Sequence, residues 1–138
     1  MQNRFQEIQD FLDDTETVLG TTIYKNHNRF RNDKAFKGLK MIQKSLERLK
    51  NLKLHSTLRR FSELMPLMVD LKDSYSSPYI PSLSILQHLL CIHIGTFLQA
   101  QRLLGLCEHS SKYLLARIRL GHFWSWALFS IANVSRLW

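Results

Sequence analysis

Apolar residues recur at intervals of three and four along most of the chain, which is the spacing of an amphipathic α-helix. The pattern predicts a first helix that begins near Asn3 and continues past Gly20 to Phe30 or Arg31. Its apolar face is formed by Phe5, Ile8, Phe11, Leu12, Thr15, Val18 and Leu19. The period-two alternation of a half-buried strand is absent from the sequence, so we expect an all-α fold.

A second helix is predicted to begin after Asn32 or Asp33, either of which is a good N-cap residue. Its apolar residues follow one another at intervals of 4, 3, 4 and 3, as in a coiled-coil seam, and they are Ala35, Leu39, Ile42, Leu46 and Leu49. At about 100° per residue the opposite face collects only cations, namely Lys34, Lys37, Lys40, Lys44 and Arg48. The helix is therefore expected to be apolar inside and cationic outside.

A short break at residues 51–55 precedes a third predicted helix, from Ser56 to about Leu71, in which Pro66 is a candidate kink. Residues 74–81 contain two prolines and three serines, which marks them as a loop.

Ser82 is expected to cap a fourth helix that ends near Leu106, and Ser110 or Ser111 a fifth helix that runs to the C-terminus. The apolar stretches 83–107 and 120–134 are expected to be buried helices of a soluble protein, because polar residues interrupt the first and the second is too short to span a bilayer. Together the elements predict a bundle of four or five mostly antiparallel helices.

The length of 138 residues fits one domain, 1–138, and the abrupt end at Trp138 predicts the N-terminal part of a longer chain. The formal charge is unevenly distributed, with −4 over residues 1–24, +10 over 25–60 and +2 over 61–138. A local excess of this size favours a polyanionic partner, and we expect nucleic acid. An anionic membrane surface and an ordinary solvated helix face are the alternatives, and we expect no membrane contact.

The most informative stretch opens this basic segment and combines cations, amides and an imidazole around two aromatic rings. Guanidiniums suit bidentate phosphate contact, and amides offer several hydrogen-bond donors. His27 could equally be a core residue, since it shares a helical stripe with Tyr24 and Phe30. The predicted RNA contacts in and after this stretch are Lys25, Asn26, His27, Asn28, Arg29, Arg31, Lys34, Lys37, Lys40, Lys44, Arg48, Arg59 and Arg60.

The last 25 residues are dense in aromatic side chains that could stack on bases but more often form a core or a protein interface. We expect a protein interface there, made by Phe123, Trp124, Trp126 and Phe129.

His88, Cys91 and His93 do not share one helical face, and Cys107 with His109 is not a zinc half-site, so neither a metal nor a cofactor is expected. Gly-rich phosphate loops and nucleophile elbows are also absent from the sequence, and we expect a non-catalytic protein.

Two stretches carry a resemblance to a known family. Residues 24–40 read Tyr-Lys-Asn-His-Asn-Arg-Phe-Arg-Asn-Asp-Lys-Ala-Phe-Lys-Gly-Leu-Lys, here named the first block. The second block, residues 116–132, reads Ala-Arg-x-Arg-x-Gly-His-Phe-x-x-Trp-Ala-Leu and ends in Ile-Ala. Both blocks and the basic 48–60 region resemble the N-terminal domain of the nucleolus and neural progenitor protein family. The first is also similar to a Lys-Asn-Gln/His-x-x-Arg pattern in the protein subunit specific to fungal ribonuclease MRP.

The resemblance implies a nuclear, nucleolar, RNA-binding subunit of a ribonuclease MRP particle that supports pre-ribosomal RNA processing. Its partners would be a structured non-coding RNA, ribonuclease MRP RNA above all, and other ribonuclease MRP or P proteins, and the RNA would carry the catalysis. The resemblance adds Arg117, Arg119 and His122 of the second block to the RNA-binding candidates. A helical adaptor whose basic face binds an acidic protein surface is the alternative function, and a metal-dependent nuclease a more remote one.

Overall fold

The computed structural model describes residues 2–64 and 82–138, without the side chains of residues 2–5, 63 and 64. Across these residues the chain forms five helices and no strand: α1 (Gln2–Phe30), α2 (Lys34–Asn51), α3 (Leu54–Leu64), α4 (Leu83–Arg119) and α5 (Trp124–Ser135). The helices pack against one another, α2 on α4 most extensively, so the predicted all-α bundle is confirmed. The predicted end of the third helix, its Pro66 kink and the 74–81 loop lie outside the described residues.

The turn between α1 and α2 forms where the sequence predicts it. Asp33 has an extended backbone conformation, and its Oδ1 accepts hydrogen bonds from the backbone N–H groups of Ala35 at 2.6 Å and Phe36 at 3.2 Å. These bonds satisfy two amide groups that an uncapped helix start leaves unpaired. Asp33 is therefore the N-cap of α2, and α1 ends at Phe30, one of the two predicted end points.

The core is centred on the predicted apolar seam of α2. Leu39, Ile42 and Leu46 of this seam are fully buried, as is Phe36 beside it. Leu19 from α1 and Leu114 from α4 complete the centre of the bundle. Where α2 crosses α4, a methyl group at Gly38 would lie 2.3 Å from Ser110 Oγ. The helices can come this close only because one small residue faces another.

The prediction that α4 ends near Leu106 is wrong. The helix continues without a break to Arg119, and Ser110 and Ser111 lie in its interior. Ser110 is buried against Gly38, and Ser111 Oγ donates to the carbonyl of Cys107 at 2.8 Å. A serine that bonds back to the preceding turn no longer marks a helix start. The real break is at residues 120–123, where Gly121 and Phe123 have left-handed φ angles of 70° and 53°.

The expectation that residues 83–107 form a buried helix is wrong for the N-terminal half of α4. Leu103 and Cys107 are buried, but Leu83, Leu90 and Phe97 are exposed. By length and composition alone α4 could cross a membrane, and its most apolar window is not buried within the protein. The buried C-terminal half shows that part of this helix serves as a core element of the bundle.

An ion-pair cluster joins α1 to the C-terminal end of α2. Lys50 Nζ contacts the carboxylates of Asp13 and Glu16, which lie one turn apart on α1. Hydrogen bonds to these two carboxylates raise the pKa of Lys50 above its ordinary value of 10.5. Lys50 therefore contributes to the packing of α1 against α2.

Candidate nucleic-acid interface

The first and second blocks, about 80 residues apart in sequence, meet in the structure. Phe30, at the end of α1, stacks on Trp126 of α5 with a centroid distance of 4.4 Å and an interplanar angle of 24°. Phe123 meets the same Phe30 ring edge-on at 5.2 Å, and Phe36 lies 6.5 Å from Trp126. We call Phe30, Phe36, Phe123 and Trp126 the aromatic junction. It gives the two blocks a shared structural role that their sequences alone do not reveal.

An ion pair closes one side of the aromatic junction. Arg117, in the last turn of α4, contacts Asp33 Oδ2, while Asp33 Oδ1 caps α2. The Asp33 side chain is 7% exposed and that of Arg117 is 28% exposed, so water screens the pair less than it would at the surface. The two carboxylate oxygens of Asp33 thus fix the start of α2 relative to the end of α4.

Three cations lie over the rings of the aromatic junction. The Arg29 guanidinium carbon is 4.3 Å from the centroid of Phe123 and 5.6 Å from that of Phe30. Arg117 approaches Phe30 at 5.7 Å, and Lys40 Nζ lies 5.0 Å from Phe36. These distances are within the range of cation–π attraction, which orients a guanidinium without neutralising its charge. The result is a cationic rim on an aromatic base.

The backbone of Phe123 is held in an unusual conformation at this site. A φ of 53° is rare for an aromatic residue, because the side chain then crowds its own backbone. The edge-on contact with Phe30 and the Arg29 guanidinium over the Phe123 ring compensate for this strain. Strained positions held by their surroundings often occur at functional sites, which directs attention to this turn.

The cationic face of α2 is open to solvent, as the helical spacing predicts. Lys34, Lys37, Lys44 and Arg48 are all exposed on the side opposite the buried seam. Lys40 differs, because it is half-buried and lies over Phe36. Lys40 is therefore partly a packing residue, whereas the other four present their charge to the solvent.

A groove of about 460 Å³ separates α1 from α5 next to the aromatic junction. Lys25 and Asn26 of the first block and Trp126 and Phe129 of α5 line it, together with threonines of α1. Asn26 Nδ2 donates to the carbonyl of Thr22 at 2.9 Å. The Trp126 indole N–H is buried and has no hydrogen-bond partner among the described residues, which is uncommon for a buried donor.

Most of the remaining residues predicted to contact RNA are exposed, and Arg117 is the exception. His27, Asn28, Arg31, Arg60, Arg119 and His122 are exposed, as is Arg59, which makes an interaction within the protein. His27 is 3.4 Å from Asn28 Oδ1 through Nδ1 and touches Phe36 only edge-on at 6.3 Å. The alternative that made His27 a core histidine is therefore wrong. Arg117 is engaged with Asp33, which gives it a structural role, and its RNA contact stays a prediction.

The predicted protein-interface residues also divide. Trp124 and Phe129 are exposed by 58% and 51%, and Phe123 is partly exposed. Trp126 is half-buried against Phe30 and belongs to the packing of this chain, and its place in a protein interface stays a prediction. The density of aromatic residues could not separate the two uses, because both require large apolar rings.

Sequence reasoning assigned Asp33 a cap but missed its ion pair with Arg117. A signal existed: Asp33 and Glu47 are the only acids among residues 25–60.

Among the described residues no group of three or more His, Cys, Asp or Glu side chains converges as a metal site would require. Cys91 is exposed, whereas burial raises the pKa of the Cys107 thiol to about 11.

The fold and the site define an all-α helical domain with a solvent-facing basic helix beside a cluster of aromatic rings and cations. The family model for the N-terminal part of nucleolus and neural progenitor protein matches residues 1–138. The chain belongs to this family, as the sequence blocks predicted. The family name supports the predicted nucleolar localisation within the nucleus.

Two curated relatives carry the same name. The mouse nucleolus and neural progenitor protein is 27% identical over 127 residues, which are 92% of this chain and 22% of the mouse protein. The human protein is 29% identical over 126 residues, which are 91% of this chain and 22% of the human protein. The chain thus spans about a fifth of the length of these relatives. No solved structure matches it.

Proposed function

We propose that this domain is a non-catalytic RNA-binding subunit of a ribonuclease MRP-type particle and supports pre-ribosomal RNA processing. The observation that carries the proposal is the convergence of the first and second blocks in the aromatic junction, beside the open cationic face of α2. The family and its nucleolar relatives agree with a role in the compartment of ribosome assembly.

The charge distribution supports a phosphate-backbone partner. Residues 25–60 carry +10, and four α2 cations form one exposed face with little opposing charge. Cations at positions i and i+4 of a helix repel one another. A bound polyanion relieves this repulsion, because the protein cations take the place of the small counterions along its backbone. A structured RNA is a polyanion of this kind.

The aromatic junction supports a second kind of contact at the rim. Arg29 is exposed although it lies on Phe123, so its guanidinium edge remains available to a phosphate or a base. Lys25 and the exposed Phe129 line the neighbouring groove, where a cation and a ring could hold an unpaired nucleotide. In this proposal α2 supplies general affinity and the rim supplies orientation.

The test is binding of the purified protein to ribonuclease MRP RNA across a series of salt concentrations, with an unrelated structured RNA of equal length as competitor. We expect affinity to fall steeply with salt, because each phosphate contact releases a counterion. Affinity that stays flat with salt would contradict the electrostatic mechanism. Equal affinity for both RNAs would contradict specificity for ribonuclease MRP RNA.

The matched variants are a triple change of Lys37, Lys44 and Arg48 to Gln, and a triple change of Arg102, Lys112 and Arg136 to Gln. Both remove three exposed charges, but only the first set lies on the α2 cationic face. We expect the first to weaken binding at least tenfold and the second to have little effect. Equal losses would show that net charge alone governs binding. If acidic proteins bind and RNA does not, the domain is the alternative, a helical adaptor.

A further inference from the structure

The N-terminal half of α4 exposes an apolar stripe directly opposite its core-facing side. At about 100° per residue, Leu83, Leu90, Ile94 and Phe97 share the outward face, while Leu89, Ile92 and Thr96 face the bundle. The outward residues are exposed by 70%, 59%, 51% and 62% in this order. Large apolar residues at such spacing on a solvent-facing side are unusual in a monomer. We call them the α4 stripe, which also includes Leu86 and Leu98.

Charged residues appear on the same face of α4 beyond the α4 stripe. One to two turns beyond Leu104 the same outward face carries Glu108 and Lys112, which form an exposed ion pair at 2.8 Å. Ion pairs between residues four positions apart are typical of the solvent-exposed face of a helix. The apolar character is therefore not a property of the whole outward face of α4. Exposed apolar residues are most closely spaced in about four turns from Leu83 to Leu98, or about 24 Å of helix, and only Leu104 and Leu115 continue them on the same face.

The spacing of the stripe fits another helix. Residues 83, 86, 90, 94 and 97 follow at intervals of 3, 4, 4 and 3, and Leu104 continues the series after Gln101. This is the seam that a helix presents to a helical partner in a coiled coil. A partner with a flat or irregular surface would not require apolar residues at these helical intervals.

Charge determines which helix fits. The sequence from Leu83 to Cys107 contains no acid, and His93 and Arg102 lie at opposite edges of the stripe. The whole chain has a formal charge of +8, so two copies would repel each other during association. Acidic residues beside the apolar seam of a partner would instead pair with Arg102 at one edge and accept a hydrogen bond from the His93 imidazole at the other, which would fix the register of the partner.

We propose that the α4 stripe is a docking surface for an amphipathic helix of another protein, with an apolar seam flanked by acidic residues. The surface is separate from the α2 cationic face and does not depend on RNA binding. A domain with both surfaces would join a protein helix to its polyanionic partner.

The probe is a pair of synthetic 21-residue helical peptides with leucine at intervals of three and four. Glutamate flanks the leucines in one peptide and lysine in the other. Fluorescence anisotropy with the whole protein should show the glutamate peptide binding at least tenfold more tightly. Equal binding of both peptides, or binding of neither, would overturn the proposal.

Three variants locate the contact. Phe97→Glu should weaken binding of the glutamate peptide at least tenfold, and Lys112→Gln, on the same face beyond the stripe, should leave it unchanged. The double change His93→Glu with Arg102→Glu should transfer the preference to the lysine peptide. An unchanged preference would contradict the role of the basic edges.

Two further measurements close the test. A benzophenone on the glutamate peptide should crosslink to residues 83–104 of the wild-type protein, a result that needs no variant to fold; crosslinks elsewhere overturn the proposal. Self-association, or binding to vesicles of anionic lipid, that Phe97→Glu abolishes would assign the stripe to a second copy or to a membrane and would also overturn it. RNA affinity should be unchanged in Phe97→Glu, which separates failure here from failure of the RNA-binding role.

Discussion

Arg117 is ion-paired to Asp33, and this contact joins the C-terminal end of α4 to the N-cap of α2 across 84 positions of sequence. The pair lies beside Phe30, whose ring Arg117 also approaches at 5.7 Å. Asp33 therefore has two functions, one for each carboxylate oxygen. The relative position of the first and second blocks depends on a side chain that would otherwise count as a local helix cap.

Asparagine at position 33 separates these two functions. Because Asn caps helices about as well as Asp, Asp33→Asn should retain the cap but lose the charge pair, at a cost of about 1–3 kcal/mol. Asp33→Ala should lose about 1 kcal/mol more, because the two amide groups at the start of α2 lose their acceptor. Urea unfolding at unchanged m-value measures both. A stability of Asp33→Asn equal to that of wild type would mean that the ion pair contributes nothing.

Two glycines test the conformation of the turn before α5. At both Gly121 and Gly105 a methyl group would meet nothing within 4 Å, but only Gly121 has a left-handed φ. Gly121→Ala should destabilise the protein by about 1–2 kcal/mol, the cost of the left-handed conformation for a residue with a Cβ. Gly105→Ala, inside α4, should stabilise it by about 0.5–1 kcal/mol. Equal effects in thermal unfolding would contradict this backbone geometry.

The crossing of α2 over α4 gives a prediction that rests on a steric clash and not on backbone conformation. A methyl group at Gly38 would lie 2.3 Å from Ser110 Oγ, so Gly38→Ala should destabilise the protein although Ala favours helix. Overpacking of a tight contact costs about 1–3 kcal/mol. Ser110→Gly in the same chain should recover part of this loss, because it removes the clashing hydroxyl. Independent, additive effects in a double-mutant cycle would show that the two residues do not touch.

Features that depend on residues close together in the sequence could be predicted, whereas features that depend on residues far apart in the sequence could not. The seam of α2, its cationic face and the Asp33 cap depend on spacing within one helix, so they could be predicted. The end of α4 could not, because Ser110 is a common cap residue and only its packing on Gly38 shows that it lies inside a helix. The Asp33–Arg117 pair and the exposure of the α4 stripe depend on where distant helices lie, which no local pattern encodes.

The two cysteines should differ in reactivity. Cys91 is exposed and Cys107 is buried with a pKa raised to about 11, so iodoacetamide at neutral pH should modify Cys91 alone in the folded protein. Mass spectrometry locates the label.

The raised pKa of Cys107 also predicts a pH dependence of stability. The ordinary pKa of the Cys107 thiol is 9.0, so this thiol loses its proton at a lower pH in the unfolded chain than in the folded protein. Cys107 then favours the folded state fully below about pH 9, and this contribution falls as the pH rises towards 11. Cys107→Ala should show a smaller loss of unfolding free energy over that range.

Arginine geometry at the aromatic junction provides the last prediction. Arg29 and Arg31 are both exposed, and Arg29 lies over Phe123 at 4.3 Å. Arg29→Lys retains the charge but loses the planar guanidinium, so it should weaken RNA binding at least threefold and destabilise the turn by about 0.5–1 kcal/mol. Arg31→Lys is the matched control for stability and should leave the unfolding free energy unchanged.

Salt dependence separates the two possible uses of Arg29. If the guanidinium orients RNA through stacking or a bidentate contact, Arg29→Lys should lower affinity with an unchanged salt slope, because the number of cations is the same. Arg29→Gln should lower affinity further and reduce the slope by about one unit. If Arg29→Lys binds RNA as wild type does while the protein is less stable, Arg29 supports Phe123 and acts on RNA only as a point charge. The cationic rim would then be a structural brace, and RNA recognition would rest on the exposed face of α2.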